Sequence, residues 1–464
     1  MNKATRVHAP PTSKTVVLIV AILSSFLTPF LASSVNIALP SIADHLSLNA
    51  VSLNWVATSY TLAAAAFLVP LGRLADIWGR KKIFQIGMVL NAIASILCGV
   101  APTGEWLIVF RVLQGIGSAM IFGTSMAILT SVYPQQERGR ALGFTVAAVY
   151  VGLSVGPLIG GLLTQYSWQS IFYLNGVIAV VTTIIVFLML KGEWAGAREE
   201  TFDFTGSTLF IVAMVVLVYA FSVFPNSWGF GLLALSLVTF TVFAVWEARQ
   251  KFPVLQIDLF RTNKVFAFSN LAALINYSST TGVSFLLSLY LQKIKDFKPE
   301  IAGLILIIQP VMMVICSPIA GNLSDKVEPR ILSSIGMTLT TIALAMMIFL
   351  GSESSLILVF ASLFILGVGF GFFSSPNSNA IMSSVERKYY GVASGAMGTM
   401  RLTGQALSMA LILLLFSLFI GEVELSPAYY PAFLKTMQIS FAIFTALCLI
   451  GIFASIVRGR LHQE

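Results

Sequence analysis

Two arginines stand inside long apolar segments of the chain. Arg111 lies within the segment 106–128 and Arg401 within the segment 389–416. A guanidinium at the centre of a bilayer costs about 2.5–3.5 kcal/mol on insertion scales, so such a residue usually faces a cavity or a partner. Both arginines are therefore candidates for binding a solute or for coupling its movement. The alternative for Arg111 is a structural bond to backbone carbonyl groups of neighbouring helices.

Uncharged polar side chains in the same kind of segment would extend this site. In hydrocarbon they cost free energy unless they meet water or a hydrogen-bond partner, and the densest group is the run 276–281. The predicted lining residues are Asn36, Tyr60, Gln114, Tyr150, Asn276, Tyr277, Gln309, Asn377 and Gln405. Hydrogen bonds between helices, worth about 0.6 kcal/mol each, are the competing explanation for any one of them.

Carboxylates are missing from the middle of these segments. The acidic residues near them fall at segment ends or in loops: Glu105, Glu247, Asp296, Glu300, Glu353, Glu386, Glu422 and Glu424. A buried proton carrier must titrate near the working pH, and arginine does not. The sequence therefore predicts positive charge and no clear acid inside the bilayer, and a substrate that is anionic, zwitterionic or neutral and amphiphilic.

Motifs for a metal, a nucleotide or a catalytic nucleophile are absent from the sequence. The three histidines lie near the termini or in a loop, and the three cysteines lie far apart in apolar runs. There is no H-E-x-x-H, Walker loop or nucleophile elbow, and no basic stripe interleaved with aromatic residues that would indicate nucleic acid. We expect no enzyme activity, no metal, no cofactor and no nucleic-acid partner.

The elements that would position these residues are membrane-spanning helices. Of 464 residues, 57% are hydrophobic and 10% are charged, against about 25% charged in an average soluble protein. The apolar stretches have the ~20 residues that a spanning helix needs, without the alternation of barrel strands. Fourteen spans are predicted, at approximately 16–38, 52–72, 83–101, 106–128, 139–163, 170–190, 205–223, 228–246, 265–291, 300–321, 331–350, 355–376, 389–416 and 436–457.

The basic residues predict the topology. Most of the 27 lysines and arginines fall in loops that would share one face of the membrane, and the opposite loops hold Lys293, Lys295, Lys298 and Lys435. By the positive-inside rule the first face is cytoplasmic, and both termini lie there. No A-x-A site follows the first apolar run, so it is predicted to be an uncleaved span. The expected location is a prokaryotic cell membrane.

An internal repeat predicts two related halves. Gly72-Arg-Leu-Ala-Asp76 follows the second span and Gly321-Asn-Leu-Ser-Asp325 follows the tenth, while the Gly-x-Gly of 115–117 resembles that of 367–369. At about 30 residues per helix and loop, the offset leaves room for two extra helices between two six-helix bundles. Duplicated helical bundles around a midplane site are typical of secondary transporters.

The predicted division of the chain follows from this repeat. It comprises a cytoplasmic tail 1–15, a six-helix bundle 16–190, a linker with two extra helices 191–264, a second six-helix bundle 265–457 and a cytoplasmic tail 458–464. The predicted fold class is thus an all-α integral membrane protein with two bundles related by a pseudo-two-fold axis.

The motifs together resemble signatures of the major facilitator superfamily, and in particular its fourteen-helix drug:proton antiporter branch. Residues 72–82 resemble the family's loop signature, with Ile77 where the family usually has a basic residue. Residues 107–117, with Arg111 and Gln114, resemble the fourth-span motif, and residues 152–161 resemble the fifth-span antiporter signature. Two further segments resemble patterns of the branch, Val35–Pro40 and Trp168–Asn175.

The resemblance implies a cytoplasmic gate and an antiporter helix. In the gate, Asp76 would meet a helix N-terminus or a basic partner in only one access state; its residues are Gly72, Asp76, Gly79, Arg80 and Asp325. The antiporter helix would seal leak paths; its residues are Gly152, Gly156, Pro157, Gly160 and Gly161. Glycines at this spacing also form a stripe that lets another helix approach closely, and the proline kinks the helix.

One departure from the family pattern bears on substrate charge. Family members that expel cations often have an aspartate five residues before the asparagine of the Val-Asn-x-Ala-Leu-Pro motif, and Leu31 occupies that position. The departure argues against a preference for cationic drugs and against proton coupling through a midplane acid.

The predicted function is secondary active transport. We expect a proton-coupled exporter of drugs or amphiphilic small molecules that works by alternating access, with a preference for anionic or neutral substrates. Its expected partners are a small-molecule substrate, protons or another coupling ion, and the lipid bilayer, and it is expected to be a monomer. The alternatives are a solute or lipid carrier of the same fold that works in uptake or facilitated transport, and, least favoured, a channel or membrane sensor, since no repeated pore element appears.

Overall fold

The computed structural model describes residues 13–197, 199–324, 326–386 and 390–459, and within them the regular structure is helical throughout. The first six helices are α1 (Lys14–Leu46), α2 (Ala50–Trp78), α3 (Arg80–Gly99), α4 (Gly104–Val132), α5 (Gln135–Tyr166) and α6 (Gln169–Met189). A hairpin follows, formed by α7 (Phe204–Ser222) and α8 (Ser227–Glu247). The remaining helices are α9 (Ile257–Thr262), α10 (Lys264–Leu289), α11 (Pro299–Leu306), α12 (Ile308–Leu323), α13 (Pro329–Met347), α14 (Leu356–Ser383), α15 (Tyr390–Phe419) and α16 (Tyr430–Val457).

Polar side chains mark where several helices begin. Asn49 caps α2 by accepting from the Ser52 amide at 2.7 Å. Asp203 and Asn263 cap α7 and α10 in the same way, each at 2.9 Å. Such caps satisfy backbone N–H groups that have no partner within the helix, so the sequence sets these boundaries locally.

Thirteen helical segments of the described residues are long and apolar enough to cross a membrane. The prediction of an all-α, multi-pass membrane protein is confirmed. Helix α10 is 26 residues long but is not among the thirteen, and its middle carries the polar run 276–281. The count of fourteen spans therefore stays a prediction. Several helices run beyond their predicted spans, most clearly α1, which continues to Leu46, and α14, which continues to Ser383.

The predicted repeat appears as matching close contacts between helices. A Cβ on Gly115 would come within 2.5 Å of the backbone of α2, and one on Gly117 within 3.0 Å of the backbone of α3. In the second half, Gly367 presses in the same way on α12, and a Cβ on Gly369 would lie 2.7 Å from the backbone of α13. Helix α4 thus lies on α2 and α3 as α14 lies on α12 and α13.

The two halves meet along two seams. Helix α5 packs against α11 and α12, and α2 packs against α15. The hairpin α7–α8 lies beside the second seam, since α7 contacts both α2 and α15. Residues at these two seams are therefore the ones that any rocking of one half against the other would move.

Candidate substrate site and gate

Arg111 is enclosed within the first half. Its side chain is 2% exposed, and its Nε donates to the Val56 carbonyl of α2 at 3.0 Å. Its Nη1 donates to Gln114 Oε1 at 2.7 Å, and the guanidinium carbon lies 4.3 Å from the centroid of the Tyr60 ring. A guanidinium over an aromatic face is attracted by the ring quadrupole. The bond to Val56 is of the kind that the structural explanation of Arg111 requires.

A hydrogen-bond network continues from Arg111 through the first half. Gln114 Nε2 and Asn175 Nδ2 both donate to Ser95 Oγ at 2.8 Å. Asn91 Nδ2 donates to Ser118 Oγ at 3.1 Å, and the Tyr60 hydroxyl donates to the same oxygen at 3.0 Å. These side chains come from α2, α3, α4 and α6. We call this set the Arg111 network; it ties four helices of one half together and, as described, contains no carboxylate.

Arg401 occupies a different setting, between the halves. It is half-buried on α15, and its guanidinium carbon lies 5.5 Å from the ring centroids of both Phe122 on α4 and Tyr277 on α10. Its Nε is buried and has no hydrogen-bond partner among the described residues. No ion pair of the described residues includes Arg401. This guanidinium thus lies among aromatic rings with an unused donor.

Two further aromatic side chains extend this group of rings from Tyr277. The rings of Tyr277 and Phe370 meet edge to face with centroids 5.5 Å apart. Tyr150 of α5 packs in the same cluster, and its hydroxyl oxygen lies 3.2 Å from the Ser317 hydroxyl of α12. We call Phe122, Tyr150, Tyr277, Phe370 and Arg401 the aromatic site. Its side chains come from five helices and from both halves.

The other predicted lining residues have varied positions. Gln405 is half-buried one turn after Arg401, and Asn36 is half-buried where its carbonyl accepts from Ser288 of α10 at 2.7 Å. Asn276 is 0% exposed, and neither polar atom of its amide has a partner among the described residues. Gln309 is buried on α12. The structure therefore brings Tyr150, Tyr277 and Arg401 together and places Tyr60, Gln114 and Arg111 in a separate network.

Asn377 belongs to a third buried polar cluster, which the sequence analysis missed. Its Oδ1 accepts from Arg458 Nη1 at 2.8 Å, and its Nδ2 donates to the Ser269 carbonyl at 3.0 Å. Arg458 is 1% exposed, and burial lowers the pKa of its guanidinium to about 10. Because Arg458 directly follows the last apolar segment, the sequence placed it in the terminal tail, and hydropathy carries no signal for its burial.

The predicted gate residues lie at one end of the bundle, which we call the signature-loop end. Asp76 Oδ1 accepts from Arg80 Nε at 2.8 Å, one helical turn away. Gly79, between α2 and α3, has φ +121°, a conformation that favours glycine. Gly72 has open space where a side chain would be. Asp325, the predicted counterpart in the repeat, lies outside the described residues.

The segment 191–203, which connects α6 to α7, holds this loop in place. The Arg80 amide donates to the Trp194 carbonyl at 2.8 Å, and the Ala197 amide donates to the Asp76 carbonyl at 3.0 Å. Glu193 Oε1 accepts from the Lys81 amide at 2.9 Å, so a carboxylate lies at the N-terminus of α3, where negative charge is favoured. The signature loop is therefore fastened to the segment that leads into the α7–α8 hairpin.

The antiporter-helix residues divide between two neighbours. A Cβ on Gly152 or on Gly160 would lie 2.8 Å from the backbone of α1, and Gly156 presses on the same helix. Gly161 faces the second half instead, where a Cβ would lie 2.6 Å from the Pro299 carbonyl, and Gly303 packs on Pro157. The glycine stripe thus packs within the first half, while Pro157 and Gly161 form part of the seam with α11.

Several bonds join the halves at the opposite end of the bundle. Lys293 Nζ lies 2.5 Å from Asp44 Oδ1, and Gln292 Nε2 donates to the Ile37 carbonyl at 3.0 Å. The Ala50 amide donates to the Val423 carbonyl at 2.9 Å. These contacts fasten α1 to the helical turn 290–294 that follows α10, and α2 to the segment after α15.

A family model described as Major Facilitator Superfamily matches residues 21–409. The chain belongs to this superfamily. It is 29% identical over 445 residues to the riboflavin transporter RibZ of Clostridioides difficile (strain 630), which covers 96% of this chain and 97% of that protein. It is 32% identical over 388 residues to the multidrug resistance protein Stp of Mycobacterium tuberculosis (strain CDC 1551 / Oshkosh), with 82% of this chain and 71% of that protein covered.

Solved structures of the superfamily share the fold. One is a bacterial homolog of the human lysosomal transporter Spinster in an inward-facing, unoccupied conformation, with a TM-score of 0.70, 16% identity and 96% of each chain covered. The predicted family resemblance is confirmed, and the relatives are transporters rather than enzymes.

Proposed function

We propose that this protein is a proton-coupled secondary transporter that exports anionic or neutral aromatic compounds by alternating access. The observation that carries the proposal is Arg401, which lies between the rings of Phe122 and Tyr277 with no ion-pair partner among the described residues. A guanidinium that is not neutralised attracts an anion and repels a cation. Aromatic rings around it offer stacking surface to a planar solute.

The position of the aromatic site supports alternating access. Phe122 and Tyr150 belong to the first half, and Tyr277, Phe370 and Arg401 to the second. A solute bound there would contact both halves, and a change in their relative position would change its contacts. A ligand shifts an equilibrium between two conformations only through such differential contacts. The Arg111 network lies within one half, so it is expected to move as a unit.

The name of one relative supports a planar, conjugated substrate, and that of another supports export of drugs. One is called a riboflavin transporter and another a multidrug resistance protein. Export and proton coupling rest on the antiporter signature at residues 152–161. The basic loops predict that both termini lie in the cytoplasm, and we expect the protein to work as a monomer.

Uptake or facilitated transport of one solute is the second candidate. The relative named as a riboflavin transporter aligns with 96% of this chain, which favours a dedicated solute carrier over a broad drug exporter. Saturable counterflow of riboflavin without export of other aromatic compounds would support this alternative.

The test is transport by purified protein in proteoliposomes with an imposed pH gradient. We compare a naphthalene sulfonate as the anion, riboflavin as the neutral probe and ethidium as the cation, in the wild type and in Arg401→Ala and Arg401→Lys. We expect transport of the first two probes, a loss of at least about tenfold for the sulfonate in Arg401→Ala, equal to about 1.4 kcal/mol, and partial recovery in Arg401→Lys. Strong export of ethidium without transport of the sulfonate, or full coupled transport by Arg401→Ala, would contradict the proposal.

A further inference from the structure

Glu247 is the one fully buried carboxylate among the residues that the structure describes. It ends α8, is 2% exposed, and lies among helices α2 and α7 and the segment after α8. Its Oε2 accepts from the Leu255 amide at 3.2 Å. Its Oε1 has no hydrogen-bond partner in the described part of the chain. An ionised carboxylate in this position would be a buried negative charge with one oxygen unsatisfied, which is unfavourable.

A second carboxylate faces the same point. A Cβ on Gly206 would lie within 2.5 Å of both Glu247 Oε1 and Asp203 Oδ2, so the two oxygens are neighbours across the space that this glycine leaves open. Asp203 also caps α7 through its Oδ1, 2.9 Å from the Gly206 amide, and its Oδ2 accepts from Trp246 Nε1 at 2.9 Å. Like charges repel, so a negative charge on Asp203 disfavours a second one on Glu247.

Among the residues that the structure describes, the charged groups around the pair do not neutralise it. Arg73 of α2 is the cation whose charge acts on Glu247, and it is paired with Glu200 of the segment before α7. Lys251 is exposed and lines, with Asp203, a cavity of about 280 Å³ at the base of the hairpin. Glu247 does not line that cavity. Water in the cavity therefore has access to Asp203, and Glu247 lies behind it.

We propose that Glu247 and Asp203 form a proton-binding site at the base of the α7–α8 hairpin, and that its titration sets the pH dependence of transport. A proton passes from water in the cavity to Asp203 and on to Glu247, whose hydroxyl then donates to Asp203; release follows the same path. With the proton bound, the start of α7 and the end of α8 are held together. When it leaves, two like charges separate them.

A separation of α7 from α8 would affect the seam between the halves, because α7 contacts both α2 and α15. The signature loop is also linked to this region, since Arg73 and Glu200 join α2 to the segment that ends at Asp203. The second part of the proposal rests on the proposed transport function. The first part, binding of a proton, does not.

Infrared spectroscopy of the purified protein tests the proton site without transport. We expect a carbonyl stretching band of a protonated carboxyl group that titrates with pH, is lost in Glu247→Gln, and is retained in Glu137→Gln. Glu137 is the matched control because its carboxylate is about half exposed and pairs with Lys14. Gly206→Ala is a second variant that keeps both carboxyl groups and places a methyl group between them, so the band should shift. A band unchanged in both Glu247→Gln and Gly206→Ala would overturn the site.

Riboflavin counterflow at equal pH on both sides tests the pH dependence. The wild-type rate should change by a factor of about three or more between about pH 6 and pH 8. Glu247→Gln should keep its low-pH rate throughout, because glutamine resembles the protonated acid, and Glu137→Gln should behave as the wild type. A pH profile unchanged in Glu247→Gln would overturn the regulatory part. Absence of wild-type transport for every probe would contradict the proposed function and leave the infrared result to decide the proton site.

Discussion

The guanidinium of Arg111 has a carbonyl, an amide oxygen and a tyrosine ring around it, whereas that of Arg401 has two aromatic rings and an Nε without a partner in the described residues. Both arginines lie in apolar helices, and hydropathy does not distinguish them. The difference is in which neighbours the fold supplies. A buried cation whose donors are satisfied holds helices together, while one with an unused donor at a seam is available to a ligand.

The comparison also separates two uses of polar residues in this family fold. The Arg111 network joins α2, α3, α4 and α6 of one half, and its members are buried. The aromatic site takes its residues from both halves, and Tyr277 and Arg401 remain partly accessible. A half that moves as a rigid body needs internal bonds of the first kind. A site that detects the movement needs contacts of the second kind.

Removal of Arg111 should lower the stability of the protein, whereas removal of Arg401 should lower its transport rate. This is the largest difference that we expect. Arg111→Met leaves Gln114 Oε1 with only the long contact from Cys98 Sγ and leaves the Val56 carbonyl with only its bond within α2. At about 1–3 kcal/mol for a buried group that loses its partner, together with the lost cation–π contact to Tyr60, the free energy of unfolding should fall by about 3 kcal/mol. Arg401→Met should change it by less than about 1 kcal/mol and should reduce transport instead. Thermal unfolding in detergent, followed by tryptophan fluorescence, measures the first effect. Equal melting temperatures for Arg111→Met and the wild type would show that the network does not stabilise the half.

Two serine hydroxyl groups offer a matched pair with a smaller expected effect. Ser118 accepts from both Tyr60 and Asn91, so Ser118→Ala should cost about 2 kcal/mol through two unpaired donors. Ser317→Ala removes only one contact of Tyr150, which also reaches Ser374 at 3.5 Å, and should cost less than about 1 kcal/mol. The same unfolding assay compares them. A larger loss for Ser317→Ala would reverse the assignment of structural and ligand-binding roles.

The sequence predicted the helical fold well because long apolar runs and loop charges report directly on the bilayer. The helix ends were less accurate. Helix α1 continues past the predicted end at residue 38 to Leu46, including Pro40, since the helix extends beyond the hydrocarbon, where hydropathy carries no information. In helix α10, hydropathy misleads in another way. Its polar run lowers its hydropathy, while its length and packing match those of the other spans.

The candidate site was predictable only as a set of residue types. Arg111 and Arg401 stand out in the sequence because arginine is rare in apolar helices. The difference between their roles depends on Val56, beside Arg111, and Phe122, beside Arg401. Both belong to other helices, and nothing in the sequence marks them as neighbours of an arginine. Glu247 was predicted at a span end and Arg458 in the C-terminal tail, and the burial of both results from neighbouring segments that cover them.

Loss of one aromatic ring should produce the smallest effect of these variants. It would test most directly which of the two arginines contacts the solute. Tyr277→Leu and Phe122→Leu each remove one ring beside Arg401, and a cation–π contact is worth about 0.5–2 kcal/mol. We therefore expect the KM for the naphthalene sulfonate to rise by about 2- to 30-fold, with little change in melting temperature. Tyr60→Leu is the control, since it removes the ring beside Arg111 and should lower the melting temperature while the ratio of KM values for sulfonate and riboflavin stays constant. If Tyr60→Leu changes that ratio and Tyr277→Leu does not, the solute binds at Arg111, and Arg401 is the arginine with the structural role.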